Sequence, residues 1–344
     1  MNFTPVETKV LNRIQKDFPA VPDPLAAMAD ELSIPAPDFM ATVSDLKTRK
    51  IIRTISGIFN ADRLGYVSVL VAFSLEESGI ERAALAINAH PGVSHNYLRD
   101  HRFNIWFTLA SESDKQLEQA IGILAGQSGA KDYIILRNER LFKIGLMLGI
   151  GDDVRTGTDA PSGPAPKTAL ALRPLTVEEK ETVRLLQNDL PLEPDPFIKL
   201  IRKSGSAIEP DAFIACYNNL KRDGFLRRYS AVLRHREAGY RSNAMTVWKP
   251  GDPSEMESMA KIFLESPMIS HLYLRTVYPG RWEYPLFAMI HAHTDDELNN
   301  VIQELSEKSG IRDYLVLRSL REFKKERVVY FSPQFSEWEK QAVL

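Results

Sequence analysis

Only one cysteine, Cys216, occurs in 344 residues. Disulfides within the chain, thiolate metal clusters and iron–sulfur centres are therefore excluded. Long apolar runs are lacking too. Val67–Phe73 is among the longest and falls far below the roughly 20 residues of a membrane helix. Nor is there an excess of one charge: 43 Lys plus Arg stand against 45 Asp plus Glu, a net charge of -2. That balance excludes a strongly basic nucleic-acid coat but not a local basic patch. Met1–Glu7 shows no basic-then-apolar leader, so the chain is expected to work in the cytoplasm, off the membrane. At 44% hydrophobic and 26% charged the composition is that of a globular protein, and the length favours two domains over one core.

What is present is a repeat. Asp17-Phe18-Pro19 with Pro22-Asp23-Pro24 returns as Asp189-Leu190-Pro191 with Pro194-Asp195-Pro196. Arg53 and Ser56 return as Arg227 and Ser230, and Gly65-Tyr66 as Gly239-Tyr240. Ser94-His95-Asn96-Tyr97-Leu98-Arg99 returns as Ser270-His271-Leu272-Tyr273-Leu274-Arg275, and Ser128-Gly129 with Asp132-Tyr133 as Ser309-Gly310 with Asp313-Tyr314. Blocks in one order with a slowly widening offset make the chain two copies of one module. Residues 151–168 between them are rich in Gly and Pro and poor in apolar side chains, the composition of a flexible tether.

Within a module, Val10-Leu11, Ile14 and Phe18 space one helix, Pro24 opens a second through Leu32, and Phe39-Met40, Val43 and Leu46 space a third. With Ile51–Ile55 after them they form a winged helix-turn-helix. Then come a strand (Tyr66–Phe73), a helix (Ile80–His90), a hairpin (Val93–Arg99, Asn104–Leu109), a helix (Asp114–Ser128) and a last strand (Lys131–Leu136). That order is the ferredoxin-like split unit. The expected fold is α+β, a tandem duplication in which each half is a winged helix-turn-helix followed by a ferredoxin-like αβ sandwich. The expected boundaries are 1–150 for the first module, with its helix-turn-helix at about 1–57 and αβ part at about 58–150. The tether follows at 151–168. The second module is 169–344, with its helix-turn-helix at about 169–231 and αβ part at about 232–344.

This combination resembles the Lrp/AsnC regulators, and a DNA-binding regulator is the first function to weigh. The recognition helices speak against it. Asp38 and Asp45 precede the first base in one copy, and Glu209 and Asp211 open the other. Carboxylates there meet phosphate repulsion.

All seven histidines lie in the αβ parts. The strand period of two sets His95, Tyr97 and Arg99 on one face, and His271, Tyr273 and Arg275 on its copy. The face admits two readings, a polar network that specifies module pairing, or a pocket for a flat polyanion with Arg for carboxylates and Tyr or Trp for ring faces. Asymmetry favours the pocket. Asp100-His101-Arg102 aligns with Thr276-Val277-Tyr278, and Arg234-His235-Arg236 aligns with Asn60-Ala61-Asp62. Each half thus keeps a different lone histidine, which suits a composite site. Neighbouring arginines disfavour the imidazolium until an anion binds. His291 and His293 share a strand face without an evident third ligand, His90 sits at a helix end, and the inserted Tyr278–Tyr284 is either a lid or an ordinary surface loop.

Asn96–Phe107, Ala231–Tyr240 and Asn243–Trp248 together resemble the siroheme decarboxylases, as a fusion of their two related subunits, across essentially the whole chain. The resemblance implies decarboxylation of two acetate side chains of siroheme, giving 12,18-didecarboxysiroheme, in heme d1 or alternative heme biosynthesis. It implies acid–base chemistry with no separate cofactor, since the substrate carries the iron. His101 and His235 would be the essential pair, in proton transfer or in holding the reacting carboxylate, with contact to the iron a further role. Arg99, Arg102, Arg234, Arg236 and Arg275 would clamp carboxylates, Tyr97, Tyr273 and Tyr278 would donate hydrogen bonds, and Trp106 or Trp248 would pack on the macrocycle. The expected partners are siroheme and its products, with the two halves forming an intramolecular pseudo-dimer that further oligomerisation could extend. An Lrp/AsnC-type regulator or tetrapyrrole sensor is the alternative. Heparin chromatography at moderate salt separates them: flow-through is expected, and retention would favour the regulator.

Overall fold

The computed structural model describes residues 3–144, 173–233 and 242–342; the tether expected at 151–168 lies outside them. In chain order the first module runs α1 (Pro5–Ile14), α2 (Pro24–Glu31), α3 (Ala36–Thr48), β1 (Ile52–Phe59), β2 (Val67–Ser74), α4 (Ile80–Ala89), β3 (Val93–Arg99), β4 (Ile105–Ser111), α5 (Asp114–Ser128) and β5 (Asp132–Ile144). The second repeats it as α6 (Val177–Leu186), α7 (Pro196–Ser204), α8 (Pro210–Arg222), β6 (Leu226–Leu233), β7 (Ser242–Lys249), α9 (Met256–Glu265), β8 (Ile269–Arg275), β9 (Leu286–Ala292), α10 (Asp295–Ser309) and β10 (Asp313–Leu317). It then adds β11 (Ser319–Lys325) and α11 (Gln334–Ala342). None of the described helices is long and apolar enough to cross a membrane.

The duplicated sequence writes duplicated helix ends. Thr4 with Glu7 and Thr176 with Glu179 form capping boxes at α1 and α6. Ser113 and Thr294 cap α5 and α10, and Gly129 and Gly310 end them with φ of 67° and 73°, where a side chain would be strained. The strand after each trihelical unit pairs with its counterpart in the other module rather than within its own: β1 and β6 run antiparallel, Ser56 opposite Ser230. The repeated Asp-x-Pro blocks pin this ribbon reciprocally. Asp17 Oδ1 accepts the Tyr229 amide and Asp189 Oδ1 accepts the Ile55 amide, both at 2.9 Å. A single apolar core, with Val10, Phe39 and Leu46 from one side and Val183, Phe213 and Tyr217 from the other, lies under both trihelical units.

The αβ parts share one sheet of nine strands in the order β10-β7-β9-β8-β5-β2-β4-β3-β11. Each contributes the ferredoxin-like order, last strand beside first and second at the far edge. Alternation sends Val69, Val71 and Phe73 of β2 to a core with α4 and α5, and Leu70 and Ala72 to the opposite face. That second face meets its counterpart from the other module, so Trp106, Ile134 and Leu136 share a core with Val247, Phe287 and Leu317.

Two departures from the sequence reading matter. The last strand of the first module, expected to end at Leu136, runs on to Ile144, and its Asn138–Ile144 portion pairs with β8 of the second module. In return β11, one residue beyond β10, pairs with β3 of the first. Arg137–Lys143 and Ser319–Lys325 are too charged to show an apolar period, so only the partner strand reveals them. Because Arg318 alone separates β10 from β11, the ends of the nine-strand order meet and the pairings form a ring. Arg99 Nη1 donates to Leu317 O (2.7 Å) and Ser319 Oγ (3.1 Å), and Arg275 Nη1 donates to Leu136 O (3.0 Å), each where the other module's arm crosses over. Removing such a donor strands a buried carbonyl. Arg99→Met and Arg275→Met are each expected to lower stability by about 1–3 kcal/mol in urea denaturation, and losses below about 0.5 kcal/mol would show that these ties do not hold the arms.

Candidate active site

The two histidine faces have the geometry that a strand period requires. A bulge at Ser94 and another at Ser270 precede the histidines. The His95 and Tyr97 rings stack at 6.1 Å with Arg99 over Tyr97 at 5.2 Å, and His271, Tyr273 and Arg275 repeat this at 6.1 and 4.8 Å. Ser94 Oγ bonds His95 Nδ1 (2.9 Å), and Ser270 Oγ bonds His271 Nδ1 (2.7 Å). His291 reaches the same Ser270 hydroxyl through Nε2 (2.9 Å), whereas His293, expected on the same strand face, lies just past the end of β9. Burial, aided by Lys325 directly across the ladder, pushes the His95 imidazole down to about 4. Arg99 and Arg275 are pushed down to about 10 by burial, and no carboxylate among the described residues forms an ion pair with either.

His101 stands in residues 100–104, the turn from β3 to β4. Its Nδ1 accepts the Phe103 amide (3.1 Å), so the neutral ring carries its proton on Nε2. Burial first, and Arg102 next, hold its imidazole below the ordinary range. Trp282, 2% exposed, meets the ring edge-on at 5.5 Å, while Phe103 stacks on it at 6.0 Å. The Arg102 guanidinium covers Phe103 and donates to Arg281 O (3.0 Å). First-module histidine and second-module loop thus form one packed cluster.

A scan against family models places an AsnC-like ligand binding domain on residues 63–143 and 237–324, and a siroheme decarboxylase NirDL-like helix-turn-helix domain on residues 7–53. The siroheme decarboxylase of Hydrogenobacter thermophilus is 36% identical over 97% of this chain and 98% of its own. The crystal structure of the siroheme decarboxylase NirDL superposes with a TM-score of 0.78 at 34% identity, covering 98% of each chain. A second NirDL crystal structure, in complex with an iron-uroporphyrin III analogue, gives 0.77 at 32% identity over 97% of each. This chain belongs to the siroheme decarboxylase family. The regulator-like helix-turn-helix and the AsnC-like sheets are accordingly the frame of a decarboxylase family.

Within that frame the expected site residues are distributed unevenly. His101 and Arg102 come together at the module junction, whereas Arg234, His235 and Arg236 lie outside the described residues. Arg99 and Arg275 spend donors on crossing strands, and the Tyr278 hydroxyl donates to Ile135 O (2.8 Å). Trp106 is buried in the core between the sheets, its indole N–H on Phe103 O (2.6 Å). Trp248 needs correction as a macrocycle platform. It is fully buried on the helix side, against Phe263 and Tyr314, because the strand period turns it away from the junction that its neighbour Val247 faces. A cavity of about 280 Å³ lined by Arg63, Tyr66, Glu112, Arg173 and Lys180 contains no histidine.

Sequence reasoning missed Trp282 and Arg281 as neighbours of His101; three aromatic residues in an insertion were the available signal. It also missed Arg53, which acts on His95, and Arg327, which lies near Arg53. Arg53 donates to Lys325 O (3.3 Å), and Arg327 donates to Ser56 Oγ (2.8 Å). His90 is the C-cap of α4, and its buried ring packs on Trp338 of α11 at 4.2 Å. Burial, then Lys324, lowers it to about 4. The unfolded chain, ordinary near 6.5, therefore binds the proton first on acidification. Stability is expected to fall between pH 6.5 and 4, by on the order of 3 kcal/mol from this group. Urea midpoints across that window should fall less steeply in His90→Gln, with His95 contributing to what remains; an unchanged slope would place the acid sensitivity elsewhere.

Proposed function

We propose that this chain decarboxylates siroheme, converting two acetate side chains to methyl groups to give 12,18-didecarboxysiroheme in the cytoplasm, as a step towards heme d1 or heme. The observation that supports it best is His101, a neutral imidazole with its tautomer set by the Phe103 amide, beside Arg102 at the junction of two modules of a decarboxylase-family fold. For each acetate the C–CO2 bond breaks, CO2 leaves, and the electron pair stays on the methylene carbon, delocalised into the conjugated macrocycle. One proton delivered to that carbon completes the methyl group. The substrate supplies both the electron sink and the iron, so no separate organic cofactor is required.

The protein's own task is acid–base and positioning. His101 and His235 are assigned proton transfer, or the hold on the reacting carboxylate. An anion beside His101 offsets Arg102 and raises the imidazole, turning a poor acid into one able to protonate carbon when substrate is bound. Arg102, Arg234 and Arg236 are assigned the remaining carboxylates, and Arg99 and Arg275 add fixed positive charge where the arms cross. Tyr97 and Tyr273 supply hydroxyls along the two ladders. The pairing of the modules in one chain stands in for a dimer, and no role is assigned to nucleic acid.

Anaerobic incubation with siroheme, followed by mass spectrometry of the extracted pigment, tests this directly. Loss of two carboxyl groups is expected. An unchanged pigment that still binds would indicate a tetrapyrrole sensor, and no binding would sink the tetrapyrrole reading. His101→Ala and His235→Ala are each expected to lower turnover by about 100-fold or more, and full activity in either would remove that residue from the mechanism.

A further inference from the structure

The turn from β8 to β9, residues 276–285, is twice the length of the matching turn 100–104 in the first module. It has Val277 where the first module has His101, so it bears no histidine of its own. The insertion is nonetheless built into the other module. Tyr278 Oη donates to Ile135 O (2.8 Å) and accepts the Ile135 amide (3.3 Å). Thr276 and Arg137 exchange main-chain and hydroxyl bonds at 3.1 Å. Arg281 grips the Asp132 carboxylate and donates to Tyr133 O (2.7 Å). Internally the turn closes on itself through Tyr278 and Trp282, with the Trp282 indole N–H on Tyr284 O (3.0 Å). Three separate attachments to β5 leave Trp282 little freedom, and its buried ring lies against both His101 and Trp106.

The tip of the insertion at residues 279–281 is exposed and Tyr278 and Tyr284 are half-buried, but a flexible loop would leave its central aromatic residue solvated as well. This one buries Trp282 and fastens its flank to the neighbouring strand. We infer that the Tyr278–Tyr284 insertion of the second module is a positioning element for His101 of the first, setting the plane of the imidazole through Trp282 and the turn that carries it through Arg281 O and Arg102. The inference rests on His101 serving the proposed decarboxylation. It explains why a repeat that kept its strands and caps diverged here: one copy carries the acid and the other carries its brace. Edge-on packing against the indole restricts the ring, and the Phe103 amide fixes which nitrogen holds the proton, so Nε2–H is presented in one direction.

Trp282→Leu and the milder Trp282→Phe separate this role from simple stability. Asp100 and Arg102 are the charged side chains bearing on the imidazole, and neither substitution touches them. In 15N-histidine NMR of the substrate-free protein, Trp282→Leu is expected to raise the His101 titration towards its ordinary value, as water reaches the ring, and to blur its single tautomer. With siroheme, kcat is expected to fall about 10-fold or more while KM stays within about 2-fold, with Trp282→Phe intermediate in both readouts. Trp282→Phe, which keeps an aromatic ring in the core, carries the test should Trp282→Leu not fold. A His101 titration and tautomer identical to the parent's would overturn the inference, as would a displaced titration with unchanged kcat. Should the parent protein not turn over siroheme at all, the decarboxylase reading fails by itself, and the NMR comparison still reports whether the insertion sets the imidazole.

Discussion

An isolated ferredoxin-like unit in this molecule would end on an open strand edge, β3 in one module and β8 in the other, and an unpaired edge is a liability. Here each edge is closed by an arm from the opposite module, β11 on β3 and β5 on β8. Everything else about the αβ region follows from that reciprocal exchange. It presses the two free sheet faces together, creating the shared core around Trp106, Phe287 and Trp282. It draws a buried arginine to each crossover, Arg99 and Arg275, where the guanidinium meets main-chain carbonyls rather than carboxylates. It also sets the first-module turn at 100–104 beside the second-module turn at 276–285, which neither module would do alone.

The pseudo-symmetry is close in the strands and caps and breaks at the turns. Both copies keep a bulged Ser-His followed by Tyr and Arg on one face, with ring spacings that agree. Buried arginines are costly where, among the described residues, no carboxylate forms an ion pair with them, and burial lowers Arg99 and Arg275 accordingly. The turns differ because a site of two halves needs different groups from each. The chain's near-zero net charge conceals such local bias, since Lys325 and Arg53 bear on His95 against Glu322 alone. Net charge bears on solubility and steering, and a local field has to be read from placement.

Much was legible from residues alone because the signals are local. Capping residues, proline at helix starts, glycine at helix ends and the two-residue period of β2 and β3 act within a few positions, so the order of elements and the duplication could be read directly. The sharing of one face by His95, Tyr97 and Arg99 follows from the pleat and needs no partner. The role of the Asp17 and Asp189 blocks was invisible. They recur, but their bonds run to the other module's strand.

The amino-acid sequence thus determined by itself the repeat, the fold of each module, the lone histidines and the family to which they point, because each rests on spacing along the chain. Tertiary structure alone decided how the modules interlock and what surrounds His101. The arms of β5 and β11 are rich in charged side chains without an apolar period, and become strands only when an edge is offered to them. Trp282 became a neighbour of His101 by a contact between residues far apart in the chain, and Trp248 became core through the parity of one strand position. Contacts of that kind depend on which faces meet, and that is settled by the exchange of strands between modules.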